Sequence, residues 1–277
     1  RLKINTAGGQ VCNVYGMIVA NSTSGKDIGG LIGKFARMHN PHIQCADGDN
    51  VIADWNLGNA TSAEGFAKLL VKKSNGLLEI GEMTNWLDPK SWQGKATVFL
   101  TESFGQGYFE HNFSDRGCGA SSRSADYCYP NIIANIQPEN FENNVRMQYV
   151  NTGFLGRFLF GRMPEFYGNP ARFDSMVIME QIRIIADVFL RKKGVVELEE
   201  DYSDELQKLF IGNCESKLNP SWRRLCNEYY PRFMVMLSVT HNLKTQGESV
   251  IITDEVKEKA KKLTMWFFSQ AEKLLTG

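Results

Sequence analysis

The stretch Val14 to Phe35, VYGMIVANSTSGKDIGGLIGKF, combines three local patterns in succession. Tyr15 to Ala20 is an apolar run of strand length. Asn21 to Gly25 consists of small, turn-forming residues, and Lys26 follows at once. From Ile28 to Phe35 the apolar residues recur at the spacing of one helical face. The stretch therefore predicts a strand, a tight loop with a lysine, and a helix.

Strand, small-residue loop, lysine and helix follow one another in this way in a phosphate-binding loop. In such a loop the backbone N–H groups converge on an anion, and the dipole of the following helix adds a favourable field. The lysine supplies a full positive charge for the terminal phosphates. We expect nucleotide phosphates to bind to Asn21, Ser22, Thr23, Ser24, Gly25, Lys26 and Asp27.

The stretch departs from the usual pattern G-x-x-x-x-G-K-[ST] at two positions. Ala20 replaces the first glycine, and Asp27 replaces the hydroxyl residue that normally contacts magnesium. The same residues have an alternative interpretation, because aspartate is a good N-cap and Ser-Gly-Lys-Asp is an ordinary turn. Under that interpretation Asp27 only starts a helix.

A second informative stretch, Leu77 to Met83, predicts a short apolar strand that ends in the acid Glu82. Phosphate-loop ATPases place such an acid where it can hold magnesium or polarise the attacking water. The aspartate that usually precedes it is replaced by Gly81. We hypothesise that Asp27 supplies the missing acidic metal contact beside Glu82, since hard oxygen ligands suit magnesium whichever strand provides them. Alternatively, Glu82 caps an edge of the sheet.

A third strand is predicted within Tyr127 to Ile136, and it ends next to Gln137. A polar residue at the carboxyl end of a central strand points into the ligand crevice of an open α/β sheet. Asn135 and Gln137 are therefore candidates to sense the terminal phosphate. Ordinary turn chemistry before Pro138 is an equally good explanation of the two amides.

Arg157 lies among glycine-flanked apolar residues and is expected to project from a short element. An arginine in such a position can stabilise phosphate charge in the transition state, in its own chain or from a neighbouring subunit. It can equally be a structural arginine in a salt bridge. The predicted catalytic residues are thus Lys26, Glu82, Gln137 and Arg157, and the predicted metal contacts are Asp27 and Glu82.

The segments between these motifs give further predictions. Thr61 and Glu64 have the form of a capping box at the start of a helix. Pro89 to Phe104 favours a helix, with a strand at Thr97 to Leu100 as the alternative. Gly105 to Asp126 is too long for a simple connector, so it predicts either a functional loop or a hairpin. With Arg116 and Arg123, this segment could line a nucleic-acid channel.

The rest of the chain has helical patterns. Three helices are predicted at Ser175 to Leu190, Ser203 to Leu218 and Ser221 to Leu243, the third with a kink or break at Pro231. A last helix begins at Thr253, which is its expected cap. Its lysines from Lys257 to Lys262 could contact DNA, although charge runs more commonly face water.

Composition limits the function classes. The chain has 277 residues, of which 43% are hydrophobic, so it can bury a substantial core. Its 31 basic and 31 acidic residues cancel, which removes the simple electrostatic argument for nucleic acid but permits a local basic channel. No apolar run reaches the length of a transmembrane helix. None of the six cysteines forms a C-x-x-C pair, so we expect free thiols in a cytoplasmic protein without structural zinc.

Five motifs in this order resemble one family. They are SGKD (24–27), NATSAEG (59–65), LLEIGE (77–82), IIANIQP (132–138) and GFLGRF (153–158). Together they are similar to the RecA-like ATPase domain of phage and mobile-element primase-helicase proteins, a family largely catalogued as a domain of unknown function. The resemblance covers about Val14 to Phe160 by motif.

The resemblance implies an α/β fold with a RecA-like P-loop core at 1–165 and a C-terminal helical subdomain at 166–277. It implies ATP and magnesium as cofactors, and a hydrolase of helicase or translocase type that acts on single-stranded DNA during replication. It also implies a homo-oligomer and a primase module as a partner, with no membrane. By matching motifs it assigns Lys26 to phosphate binding, Glu82 to catalysis, Gln137 to the strand-end sensor and Arg157 to the arginine position.

Two other functions fit the same residues. The first is an interaction module that keeps the P-loop fold but has lost hydrolysis, with Asp27 and Gly81 as its marks. The second is an enzyme that uses the same loop to transfer a phosphoryl group to a small molecule.

Overall fold

The computed structural model describes residues 2–4, 10–21, 43–44, 50–51, 57, 60–72, 76–106, 108–115, 119–126, 128–145, 153–163, 194–196, 198, 208, 219–241 and 250–276. The chain divides into two compact units. One unit contains residues 13–37 and 53–170, and the other contains residues 1–12, 38–52 and 171–277. We call them the sheet unit and the helical unit.

Strands and helices are numbered along the described residues. The strands are β1 (Leu2–Ile4), β2 (Gln10–Val11), β3 (Tyr15–Val19), β4 (Ile43–Gln44), β5 (Asn50–Val51), β6 (Leu77–Ile80), β7 (Tyr108–Asp115), β8 (Gly119–Asp126), β9 (Asn131–Ile136), β10 (Leu159–Arg162) and β11 (Gly194–Val196). The helices are α1 (Ala63–Lys72), α2 (Thr84–Leu87), α3 (Trp92–Gln106), α4 (Pro138–Asn140), α5 (Asn219–Arg224), α6 (Tyr230–His241) and α7 (Asp254–Leu275).

The sheet unit contains a four-stranded sheet in the order β10-β3-β9-β6. All its neighbouring strands are parallel, with Val19 opposite both Ile136 and Arg162, and Ile80 opposite Ala134. This sheet and its helices confirm the α/β class predicted from the sequence. Because parallel strands point the same way, their carboxyl ends meet at one edge.

The residues of β3 alternate in burial between the two faces of the sheet. Side chains alternate between faces along a strand, and in β3 Tyr15, Met17 and Val19 are buried while Gly16 and Ile18 are only half-buried. The Tyr15 hydroxyl donates a 2.8 Å hydrogen bond to the Leu100 carbonyl. The same ring lies 4.8 Å from that of Phe104, edge to face. Helix α3 therefore packs on the Tyr15 face, and the helix favoured for 89–104 is confirmed from Trp92 onward.

The start of α1 differs from the expected cap. The Gly65 N–H donates to the Ser62 hydroxyl at 3.0 Å, so Ser62 and not Thr61 supplies the capping oxygen. Thr61 is exposed. The helix therefore begins one residue later than the capping-box pattern predicts.

Within the segment 105–126, residues 108–115 and 119–126 are two paired strands, which agrees with the hairpin, one of the two predicted alternatives. Strands β7 and β8 pair antiparallel over their full length, with His111 opposite Arg123. Arg116 lies outside the described residues, so the nucleic-acid role predicted for it and Arg123 stays a prediction.

In the helical unit, the structure describes two small sheets and the helices α5, α6 and α7. Strands β1, β2 and β11 form a small sheet, and β4 pairs with β5. Helix α7 begins after Thr253, whose hydroxyl accepts from the Val256 N–H at 3.4 Å, so the predicted cap is confirmed. The helices predicted at 175–190 and 203–218 lie outside the described residues, apart from residue 208.

Of the kink or break predicted at Pro231, the break does not occur. Helix α5 continues through a π-helical turn, Leu225–Tyr229, directly into α6, which contains Pro231. Proline lacks an N–H, and its ring clashes with the carbonyl four residues earlier in a regular helix. That carbonyl belongs to Asn227, inside the wider π-turn. The turn therefore accommodates the proline without ending the helix.

No helix of the described residues is both long enough and apolar enough to span a membrane.

Candidate functional site

Of the predicted site residues that the structure describes, Asn21, Glu82, Asn135 and Gln137 lie along the carboxyl edge of the four-stranded sheet. The sheet hydrogen bonds continue beyond the strand ends: Ala20 N–H donates to Ile136 O at 3.1 Å, and Met83 N–H donates to Asn135 O at 2.9 Å. On the other side of β3, Met163 N–H donates to Val19 O at 3.0 Å. The residues that follow β3, β6, β9 and β10 are thus aligned along one edge.

The predicted phosphate loop leaves the sheet at the centre of this edge. Strand β3 lies between β9 and β10, and the predicted strand at 15–20 is confirmed. Asn21, the first loop residue, is exposed. Ser22, Thr23, Ser24, Gly25, Lys26 and Asp27 lie outside the described residues, so the loop geometry stays a prediction.

Glu82 is half-buried at the end of β6, where the sequence predicts it. Its Oε1 accepts a 2.8 Å hydrogen bond from the Thr84 hydroxyl and a 3.5 Å contact from Asn140 Nδ2. Thr84 begins α2, and Asn140 ends α4, which follows β9. Two neutral donors from different elements therefore bind and orient the carboxylate.

Gly81 is exposed, and a Cβ added to it would meet no atom within 4 Å. The aspartate expected from the usual pattern is therefore missing for a reason other than lack of space. Any substitution by a small acid would find room at this position.

Asn135 provides an unsatisfied acceptor at the same edge. It is 6% exposed, and its Oδ1 has no hydrogen-bond partner among the described residues. An unpaired buried polar atom costs about 1–3 kcal/mol, and such atoms are commonly explained by water or a ligand. Asn135 lies opposite Ile18 of β3, one strand away from the predicted loop. Its position fits the predicted sensor role.

Gln137 is exposed and has extended backbone geometry ahead of Pro138. Its carbonyl accepts the Phe141 N–H at 2.8 Å, so it occupies the N-cap position of the following helix. Its side chain makes no capping hydrogen bond. The backbone of Gln137 thus forms the N-cap, and Gln137 follows β9 at the edge where Glu82 follows β6.

Arg157 lies at the opposite end of the sheet. It ends a 3₁₀ turn, Leu155–Arg157, that precedes β10, and β10 runs parallel to β3. Its guanidinium donates to the Gly153 carbonyl and lies 5.7 Å from the centroid of the Phe104 ring. The structure therefore does not bring Arg157 to Glu82 and Gln137 within one chain. Its predicted role toward a neighbouring subunit stays a prediction.

A different arginine, Arg162, occupies the carboxyl edge. It is the last residue of β10, exposed, and opposite Val19, the last residue of β3. No hydrogen bond or ion pair joins its side chain to another described residue. Sequence reasoning passed over it because Arg157 lies in the recognisable motif, although both belong to the run GRFLFGR. Strand direction decides which arginine reaches the edge.

The structure describes only one of the two expected magnesium contacts, Glu82. Glu82 and Asn135 bring a carboxylate and an amide oxygen to the edge, and magnesium prefers such hard oxygen donors. Within the described ranges no group of three or more His, Cys, Asp or Glu could hold a metal. Asp27 lies outside those ranges, so its pairing with Glu82 stays a hypothesis.

The described cysteines do not form a nucleophilic site. Burial raises the pKa of the Cys128 thiol to about 11, although a hydrogen bond with Ser103 lowers it somewhat. Burial also raises the pKa of Cys12 to about 11, against an opposing effect of Arg232, and that of Cys226 to about 12. Since the thiolate is the reactive form, these three residues are unsuited to covalent chemistry at neutral pH.

No protein-family model matches the chain, and no curated protein matches it.

Proposed function

We propose that the carboxyl edge of the four-stranded sheet binds ATP with magnesium and hydrolyses it, in a RecA-like core that acts on single-stranded DNA. The proposed role is that of a helicase or translocase in phage or mobile-element replication. One observation carries the proposal: the strand that leads into Ser-Gly-Lys lies between β9 and β10, with Glu82 at the same edge.

Sheet topology supports the placement of the ligand. The four strands follow the chain order β3, β6, β9, β10, so later strands lie on both sides of β3. In open α/β sheets, ligands bind outside the carboxyl ends of the strands where the strand order reverses. The loop after β3 is at such a point.

Each residue at the carboxyl edge has its own proposed role. Lys26 and the loop amides would hold the phosphates, and Glu82 would polarise the attacking water. Thr84 and Asn140 fix the direction in which the Glu82 carboxylate points. Bound magnesium, held by Asp27 and Glu82, would neutralise charge on the phosphates.

Asn135 and Arg162 complete the proposed site. The unpaired Oδ1 of Asn135 can accept a hydrogen bond from the attacking water. Arg162, beside the end of β3, brings a positive charge toward the phosphates without help from another subunit. Gln137 lies next to both Asn135 and the start of α4, so it can report the state of the terminal phosphate to that helix.

ATP binding and turnover, with and without single-stranded DNA, test the proposal. We expect Lys26→Ala to abolish nucleotide binding, and Glu82→Gln to preserve binding but abolish turnover. Glu258→Gln, an identical change at an exposed position of α7, serves as the control. If Lys26→Ala leaves nucleotide affinity intact, the proposal is wrong.

The same assay separates the two other functions. Turnover stimulated by DNA supports the motor. Tight binding without turnover indicates the impaired interaction module, which the absence of an acid at Gly81 favours. Transfer of phosphate to a small acceptor, independent of DNA, indicates a phosphotransferase.

A further inference from the structure

Helix α7 presents an unusual exposed side chain in the helical unit. Trp266 is 48% exposed and its neighbour Met265 is 38% exposed, although tryptophan is highly buried on average. Lys262 precedes Trp266 by four residues, and Lys259 and Lys273 lie seven residues to either side. These spacings place all four on one helical side. We call Lys259, Lys262, Trp266 and Lys273 the Lys–Trp stripe.

The exposed ring is held from behind by other aromatic rings. Trp266 meets Phe267 edge to face at 4.8 Å. Phe267 in turn stacks on Phe233 of α6 at 5.7 Å, with 20° between the ring planes. A ring fixed in this way loses little conformational freedom when a ligand covers it.

The stripe is positively charged. Lys259 pairs with Glu255 at 2.6 Å, so it contributes no net charge. Lys262 and Lys273, both exposed, form no ion pair with another described residue. At 1.5 Å rise per residue they lie about 6 Å and about 10 Å along the axis from Trp266. An aromatic ring between two ammonium groups that have no ion-pair partner among the described residues suits a ligand with both flat and anionic parts.

We propose that the Lys–Trp stripe binds single-stranded nucleic acid, with a base stacked on Trp266 and phosphates contacting Lys262 and Lys273. Base–aromatic stacking with a positively charged track for the backbone is the general basis of such binding. The inference deepens the nucleic-acid part of the proposed function. It involves α7 and α6 alone and requires no nucleotide turnover.

Fluorescence anisotropy with a fluorescein-labelled oligothymidylate, in nucleotide-free buffer at one fixed low salt concentration, tests the inference. Trp266→Ala should weaken binding by about 5- to 150-fold, the equivalent of one lost stacked base. The double change Lys262→Glu and Lys273→Glu should weaken binding and reduce its salt dependence. Trp266→Phe should retain most of the affinity.

Lys261→Glu is the matched control. It makes the same charge change at an exposed position of α7, about 140° around the helix from Trp266. Equal losses in this control and in the stripe variants would overturn the proposal, as would unchanged binding in the stripe variants. If those variants instead alter the oligomeric state measured by light scattering, the stripe is a self-association surface and the proposal also fails.

The experiments distinguish failure of the Lys–Trp stripe proposal from failure of the proposed nucleotide site. ATP turnover without DNA should be the same in the stripe variants and the wild type. Loss of DNA-independent turnover in Lys26→Ala, with unchanged oligonucleotide binding, would separate the two sites.

Discussion

The hydroxyl of Thr84 donates a 2.8 Å hydrogen bond to Oε1 of Glu82, two residues earlier in the chain. Two residues after β6, the chain thus carries an acid whose orientation is set by the first residue of the next helix. If Glu82 polarises water, its orientation matters for turnover more than for binding.

We expect Thr84→Val to lower kcat for ATP about tenfold with little change in KM, because it removes one hydrogen bond to a charged group. Steady-state kinetics measure the split between kcat and KM, and Thr84→Ser should restore kcat. Thr101→Val removes a similar hydroxyl, bonded to the Thr97 carbonyl within α3, and should leave kinetics unchanged. A purely structural role for Thr84 would instead lower the melting temperature and spare kcat.

Gly81→Asp should be tolerated and should reduce the magnesium concentration that gives half-maximal ATP turnover. A Cβ at this exposed position meets nothing within 4 Å, and a second carboxylate beside Glu82 adds a hard ligand. Gly81→Ala tests the backbone effect alone. If Gly81→Asp leaves the magnesium dependence unaltered, Glu82 does not share a metal with this position.

Arg157, before β10, and Arg162, the last residue of β10, should affect turnover in different ways. Arg162→Ala should lower ATP turnover at least about tenfold at any protein concentration, because Arg162 lies at the edge beside Val19 of the same chain. Arg157→Ala can lower turnover only through contact between subunits, so its effect should depend on protein concentration. Loss of turnover in Arg157→Ala, together with normal activity of Arg162→Ala in dilute protein, would reverse these assignments.

Gly94→Ala should destabilise the sheet unit by about 1–3 kcal/mol, the usual range for overpacking. An added Cβ would lie 1.9 Å from the Asp88 carbonyl oxygen and 2.7 Å from its carbon, so the turn before α3 would have to move. Denaturant unfolding measures the loss. Gly156→Ala is the control, since nothing lies within 4 Å of its Cβ position. Equal stability of the two variants would contradict the packing described here.

Stability should fall as pH rises above about 9, partly through Cys128. Its thiol pKa is raised from 9.0 to about 11 by burial, so the native state keeps a proton that the unfolded state releases. The unfolded state binds fewer protons in this window, and the free energy of unfolding therefore decreases between pH 9 and about 11. Denaturant titrations should give a smaller decrease for Cys128→Ala than for the wild type. Identical slopes would show that Cys128 ionises equally in both states.

Local sequence patterns predicted the parts of the site but not their arrangement. Apolar runs indicated β3, β6 and β9, and each ends close to the expected residue. Strand order depends on pairing between distant segments, so no local pattern could place β3 beside β10. The same limitation led to the choice of Arg157, because its motif does not reveal that it precedes a strand.

Two further differences have local causes that sequence rules underestimate. Thr61 and Ser62 are adjacent, and serine is the better N-cap residue of the two. At Pro231 the rule that proline ends a helix competes with the burial of Trp222, Tyr229 and Phe233 on the same continuous segment. The burial of these side chains keeps the segment helical, and the π-turn removes the clash between the Pro231 ring and the Asn227 carbonyl.

The π-turn also changes which side of the helix the residues after it occupy. It includes one residue more than an α-turn, so the residues after it are rotated around the axis relative to an uninterrupted helix. Trp222, before the turn, meets Phe268, while Phe233, after it, meets Phe267 on the same partner helix. Deleting one residue from 225–229 would restore regular α-helical geometry, but it would rotate either Trp222 or Phe233 away from α7. The length of this segment is therefore as constrained as its composition, and a one-residue deletion there should be less tolerable than most substitutions.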